Sequence, residues 1–201
     1  MTSQLSEETL TFPAGSLVVL TGLPGAGKST LLHRLYPLTG RESAPVAFGP
    51  VRVIDSGQGR NRWKRLLAGA PKPLRTFAAH ATHLTSIART LAAGHSVVAH
   101  NRGAWPHVLH TFAWMARRSG VQFHLVMLDV DPVTALAGQR DRGRVVARAT
   151  FGRHCRRWRA LVARARTGSL PPAHSVTVLD RRAADALRAI RFVESECIMS
   201  Q

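Results

Sequence analysis

The sequence predicts an α/β fold, a three-layer sandwich built on a mostly parallel five-stranded sheet. Three observations carry that expectation. Five short runs of β-type apolar residues alternate with segments of helical periodicity. The first run leads directly into a glycine-rich loop and then a helix-forming stretch, as a strand-loop-helix unit does. Finally, 45% of 201 residues are apolar, which suffices for one domain with a sizeable buried core.

Taken in chain order, residues 1–14 read as a loosely ordered lead-in. Residues 16–21, between Gly15 and Gly22, form a buried parallel strand. A helix begins near Gly27, runs through Leu31, Leu32 and Leu35, and ends before Pro37. Residues 37–50 carry three prolines and two glycines and read as loop. Residues 51–54 form the second strand, which ends at Asp55; residues 56–62 then read as a polar, glycine-rich loop, with a helical turn over 63–67. Pro71 and Pro73 break the chain. From Phe77, the apolar positions Ala81, Leu84, Ile87, Ala88 and Leu91 lie on one helical face, which Gly94 closes.

Residues 96–99 are the third strand, and 106–118 a helix opened by proline and stopped by Gly120. Residues 123–130 are the fourth strand, and Pro132 opens a short helix. An arginine cluster over 140–148 precedes a helix whose buried face is Phe151, Cys155, Trp158, Leu161 and Val162. Residues 176–179 are the fifth strand, 182–192 a closing helix and 193–201 a tail. With no internal repeat or linker, the expectation is one domain over 15–192.

The specific motif is GLPGAGKS, residues 22–29, which satisfies G-x-x-x-x-G-K-[ST] in full. Each position has a physical reason. Gly22, Gly25 and Gly27 permit backbone angles that turn N–H groups inward and let phosphate oxygens approach, with Leu23, Pro24 and Ala26 between them. The helix that follows adds its positive end near Ser29 and Thr30. Lys28 is the expected partner of the β- and γ-phosphates, and Ser29 the expected magnesium ligand. The fold class is accordingly a P-loop NTPase sandwich binding ATP, or GTP, with magnesium.

Pro24-Gly25 followed by Ala26-Gly27-Lys28-Ser29-Thr30-Leu31 resembles the small P-loop kinases of the AAA_33 group, which includes polynucleotide 5′-kinase domains and the zeta-toxin and chloramphenicol phosphotransferase relatives. The resemblance extends over roughly residues 16–180 and rests on the order of cradle, strand ending in Asp, basic lid and last strand. It implies an Asp that contacts the acceptor hydroxyl, which here is Asp55. Asp55 also ends a strand at the carboxyl edge of the sheet, where open α/β folds bind ligands. Capping the turn Asp55-Ser56-Gly57 is the other role open to it. Arg60 and Arg62 follow as candidates for an anionic part of the acceptor. His80, His83 and Arg89, on the long helix, fit exposed helix positions better than an acceptor pocket.

The segment Gln139-Arg140-Asp141-Arg142-Gly143-Arg144 resembles the basic lid of such kinases, about 139–149. Guanidinium groups suit phosphate oxygens, and Arg140 and Arg144 stand one helical turn apart. Both are expected phosphate contacts, Arg142 less so. One departure stands out. Many P-loop enzymes end the third strand with an Asp that holds magnesium through water, whereas this chain has His100-Asn101-Arg102 there. A hard cation prefers oxygen, so Asn101, Asp55 or Asp129 are the replacements open to it.

The net charge of +17 is unusual: of 28 basic residues only Lys28, Lys64 and Lys72 are lysines, leaving 25 arginines. A phosphate-rich partner such as nucleic acid and a compositional bias toward arginine account for it equally well. The spread of Arg153, Arg156, Arg157 and Arg159 around their helix leans toward a small acceptor. No run approaches a membrane span, the first ten residues do not form a secretory leader, and Cys155 and Cys197 lack metal-ligand spacing, so the expected compartment is the cytoplasm. The leading function is transfer of a phosphoryl group to an unidentified hydroxyl acceptor, which could be a small molecule, a nucleotide or a nucleic-acid 5′ end. A non-catalytic nucleotide switch and a nucleic-acid-binding ATP-dependent protein are the alternatives.

Overall fold

The computed structural model describes residues 8–101, 106–141, 143 and 146–194. In chain order the elements begin with β1 (Thr9–Pro13), β2 (Leu17–Gly22), α1 (Lys28–Leu35), β3 (Val46–Phe48) and β4 (Val51–Ile54). Then come α2 (Ser56–Trp63), α3 (Lys72–Ala92), β5 (Ser96–His100), α4 (Pro106–Arg118) and β6 (Phe123–Leu128). The chain closes through α5 (Pro132–Arg140), α6 (Arg148–Ala165), β7 (Ser175–Leu179), α7 (Arg181–Ala186) and β8 (Ala189–Val193). No helix of the described residues is long and apolar enough to cross a membrane.

The main sheet has the order β3-β4-β5-β2-β6-β7, parallel except for β3 at its edge. Alternation along the strands sorts their side chains onto two faces. Leu17, Val19, Val97, Ala99, Leu125 and Met127 meet Ile87, Phe112 and Trp158 from α3, α4 and α6. Val18, Leu20, Val98, Val126 and Leu128 meet Leu31 and Leu32 of α1 on the other face. Buried on both faces, β2, β5 and β6 read as continuous apolar runs. The pairs Ile54↔Ala99, Leu20↔His100 and Gly22↔Leu128 bring the strand ends to one edge of the sheet. Asp55, Asn101 and the glycine loop after Gly22 therefore follow one another across neighbouring strand ends.

All five expected strands form, and the three-layer arrangement is as expected, but the sheet has six strands. The sixth, β3, lies in the segment expected to be loop. Gly49-Pro50 turns Val46–Phe48 back antiparallel onto β4, and Phe48 stacks its ring 5.2 Å from Tyr36. A separate two-stranded sheet joins β1 to β8 in parallel. Its first strand lies within the expected lead-in, because Leu10 and Phe12 alternate into the core. Its second strand replaces the end of the expected closing helix, which stops at Ala186.

The largest local correction concerns residues 56–63, which are helical rather than loop. The Asp55 carboxylate accepts from the Gly57 N–H and caps this helix. Its glycines serve packing: a Cβ on Gly59 would lie 2.4 Å from the Ala79 carbonyl oxygen of α3. Helix α3 also begins earlier than expected, with Pro73 tolerated in its first turn. Gly59→Ala should therefore destabilise the protein by about 1–3 kcal/mol, the usual cost of overpacking. Gly69→Ala, with nothing within 4 Å of its Cβ, is the matched control. Urea denaturation of both variants checks this, and equal midpoints would remove the packing argument.

Candidate active site

The loop after β2 is held from several sides. Gly25 and Gly27 have φ of 93° and 88°, in the left-handed region that favours glycine. A Cβ on Gly25 would lie 1.8 Å from the Ala135 carbonyl oxygen of α5, and one on Gly22 2.9 Å from that of Leu128. Gly27 caps α1, whose positive end thus opens at the loop. Lys28 is buried, and its ammonium donates to the Gly22 and Leu23 carbonyls at 2.8 Å each. Ser29 and Thr30 follow in the first turn of α1. One neighbour that sequence reasoning missed is Arg181, at the start of α7. A guanidinium nitrogen of Arg181 lies 3.5 Å from where a Gly27 Cβ would stand. Only the return of β7 to the same sheet edge brings it there.

Asp55 lies one strand beyond β5. Its Oδ2 is 3.3 Å from His100 Nδ1 and 3.8 Å from His33 Nε2 of α1. The same His100 nitrogen is 3.3 Å from the Ser56 hydroxyl. Burial alone would push the Asp55 carboxyl up; the His100 contact, the Gly57 N–H and the His33 ring outweigh it and hold the group well below the ordinary carboxylate range. Asp55 is thus both cap and charge partner. His100, where many P-loop enzymes carry an acid, faces Asp55 at the end of the neighbouring strand. Asp129 accepts from Trp158 Nε1 at 3.1 Å and from Arg166 at 2.9 Å, so its carboxylate is engaged by α6 and the residue that caps its end.

Between α2 and α3 lies a cleft of about 660 Å³. Ser56 and Asn101 line it from the sheet edge, and Trp63 from α2. Arg60, Lys64, Lys72 and Arg75 line it as cations, and no carboxylate does among the described residues. His80 and His83 also line it, so the expectation of exposed positions fails for His83, which is only 4% exposed. Among the described residues neither ring nitrogen of His83 has a hydrogen-bond partner. Its pKa is pushed down to about 4, by burial first and then by the neighbouring His100, His80 and Arg60, with Asp55 opposing. Arg62 and Arg89 are exposed and outside the lining.

At the expected lid, Arg140 is exposed at the end of α5, while Arg142 and Arg144 lie outside the described residues. Gln139 beside it is buried. Its amide nitrogen donates to the Pro24 carbonyl at 2.9 Å, and its amide oxygen accepts from the Val146 N–H at 2.9 Å. One side chain thereby joins the glycine loop to the far end of the arginine segment. In the sequence Gln139 reads only as the lid's first residue, since the bond reaches back across the fold.

A glycine cradle at the end of a central parallel strand, closed on a buried lysine, defines the P-loop class. The chain belongs within it to the AAA domain family AAA_33, whose model matches residues 17–164. Solved structures share the fold at low identity. The Deinococcus radiodurans tunicamycin resistance protein matches with a TM-score of 0.53 and 14% identity, over 85% of this chain and 91% of that one. A candidate kinase of Chloroflexus aurantiacus matches at 0.56 and 14%, over 83% and 85%. A structure from the PezAT toxin-antitoxin system of Streptococcus pneumoniae matches at 0.57 and 16%, over 91% and 79%. No curated protein sequence matches the chain.

The depressed pKa of His83 has a signed consequence. Between about pH 6.5 and 4 the unfolded chain binds a proton at this residue and the folded protein does not. Its contribution is therefore intact above pH 6.5 and declines as pH falls toward 4, by up to roughly 3 kcal/mol. His83→Phe should flatten that part of the stability profile. At pH 7 the variant should be at least as stable as the parent, because two buried unpartnered nitrogens disappear. Chemical denaturation at pH 7, 5.5 and 4.5 makes the comparison, and identical acid slopes would show that His83 is not buried neutral.

Proposed function

We propose that the protein is an ATP-dependent phosphotransferase that moves the γ-phosphoryl group of ATP, or of GTP, to a hydroxyl acceptor bound between α2 and α3. The observation that carries this reading is adjacency. The cleft reaches Asn101, which follows β5, and β5 pairs with the strand that ends in the cradle. Neighbouring strands lie about 4.8 Å apart, so the cleft and the cradle open side by side at one sheet edge, as transfer between two bound groups requires. The fold likeness to a candidate kinase and to resistance and toxin-system proteins agrees with this class.

Gly22 through Thr30 would hold the phosphates, and Ser29 the magnesium; the left-handed glycines, the helix end and the lysine suit that charge. Magnesium-ATP supplies an electrophilic phosphorus and its leaving group. Lys28 would exchange its carbonyl partners for phosphate oxygens and offset charge there. Asp55 would orient the acceptor hydroxyl. Its carboxyl is already ionised well into the acid range, so it acts by position and charge more than as a reservoir for the proton. The acceptor oxygen bonds to the γ-phosphorus, the bond to the bridging oxygen breaks, and the hydroxyl proton leaves by way of Asp55 to water. Arg140 and Arg144 would close over the phosphates within a lid of about 139–149.

A second reading, a nucleotide switch without transfer, draws on His100 at the end of β5 and on the engagement of Asp129 by Trp158 and Arg166. Incubation with γ-labelled ATP and hydroxyl compounds, including nucleosides, sugars and oligonucleotide 5′ ends, separates the two. Label on an acceptor supports transfer; tight nucleotide binding with no labelled acceptor supports the switch. Lys28→Ala should abolish most nucleotide-dependent activity and leave the fold intact by circular dichroism. Asp55→Asn should keep ATP affinity and lower transfer by a factor on the order of 10²–10⁴. Loss of ATP binding in the Asn variant would move Asp55 into the metal shell.

A further inference from the structure

The cleft has a direction. Lys72, Arg75, Thr76, Ala79, His80 and His83 all line it from α3, at the spacings that share one helical face. Lys72 and His83 are eleven residues apart, about 16 Å along the helix axis. Lys72 and Arg75 occupy the first turn of α3, and Lys64, which follows α2, joins them in the lining. Further along the same face of α3 is His83, buried and without a hydrogen-bond partner among the described residues.

We propose that the hydroxyl acceptor is a small molecule that itself carries an anionic group, phosphate or carboxylate, seated among Lys64, Lys72 and Arg75, with its polar body reaching His83 and Asn101. The inference rests on the phosphotransferase reading for the ligand's role as acceptor; the anion preference stands on the cleft alone. Lys64, Lys72 and Arg75 line one concavity with no carboxylate among its described lining residues, and a bound anion relieves their mutual repulsion. The positive end of the 21-residue α3 adds to the attraction. Arginine and lysine at the same mouth offer charge-assisted bonds to oxygen anions.

His83 supplies the second observation. A buried imidazole with both nitrogens unpartnered costs stability, and burial keeps it neutral near pH 7. A neutral ring donates from one nitrogen and accepts at the other, which fits a hydroxyl-bearing body better than a second anion. The volume of about 660 Å³ falls within the range of small-molecule pockets. Trp63, lining the cleft with its Nε1 bonded to Thr82 at 2.7 Å, offers a fixed flat wall for a ring.

The test uses the full chain saturated with magnesium and a non-hydrolysable ATP analogue, so that the cradle is filled. Glucose, glucose 6-phosphate, glucuronate and a 5′-hydroxyl oligonucleotide are titrated in turn, and the amide and imidazole nitrogen signals of the cleft residues are followed by NMR. Glucose 6-phosphate and glucuronate should bind at least about 10-fold more tightly than glucose, as a charge-assisted bond predicts. The ratio of the two separates phosphate from carboxylate as the preferred group. The Lys72→Ala/Arg75→Ala variant should lose the preference and keep its affinity for the ATP analogue. Equal affinities for the three sugars, an unchanged preference in the double variant, or no shift at about 10 mM of any probe would overturn the proposal. Oligonucleotide binding that displaces every sugar would overturn the small-molecule assignment. Failure of the phosphotransferase reading shows elsewhere, as absent analogue binding or absent label transfer.

Discussion

Burial of β2 on both faces is the constraint on which the rest of the molecule depends. With β5 on one side, β6 on the other and a helical layer above and below, this strand has no freedom of register. A slip of one residue would exchange its two apolar faces and carry Gly22 away from Leu128. The glycine loop has so little clearance that such a slip could not be absorbed locally. Hydrophobic packing in the centre of the sheet thus fixes the position of a polar loop at its edge.

Electrostatics at that edge follow from how few acids the chain has. Eleven acidic residues face 28 lysines and arginines, so the placement of each carboxylate matters. Asp55 is shared among a helix cap, His100 and His33, and Asp129 between Trp158 and Arg166. Neither lines the cleft between α2 and α3, whose described titratable lining is cations and imidazoles. Its unpartnered His83 has the character of functional sites that keep a local cost which packing elsewhere offsets.

Much of this was legible in the sequence, for reasons that differ by element. The cradle was legible because its determinants are contiguous: strand, glycines, lysine and helix all fall within residues 16–35. The central strands β2, β5 and β6 were legible because double-sided burial produces unbroken apolar runs. Helix α2 was not, because glycine is ordinarily a helix breaker, and only the approach of the Ala79 backbone explains Gly59. The β1–β8 sheet was not, since its pairs, such as Thr9↔Ala189, join opposite ends of the chain and no local pattern links them. The cleft followed the same rule. Arg60 could be singled out by position, but the convergence of α2 on α3 and the burial of His83 depend on tertiary packing.

The two contacts between α5 and the glycine loop have a mechanical consequence. The Ala135 carbonyl sits over Gly25, and one turn further on the Gln139 amide holds Pro24. Four residues of helix separate them, about 6 Å. Helix α5 so placed cannot slide along the loop without driving the Ala135 carbonyl into Gly25 or breaking the Gln139 bond, so the end of α5 is keyed to the phosphate cradle.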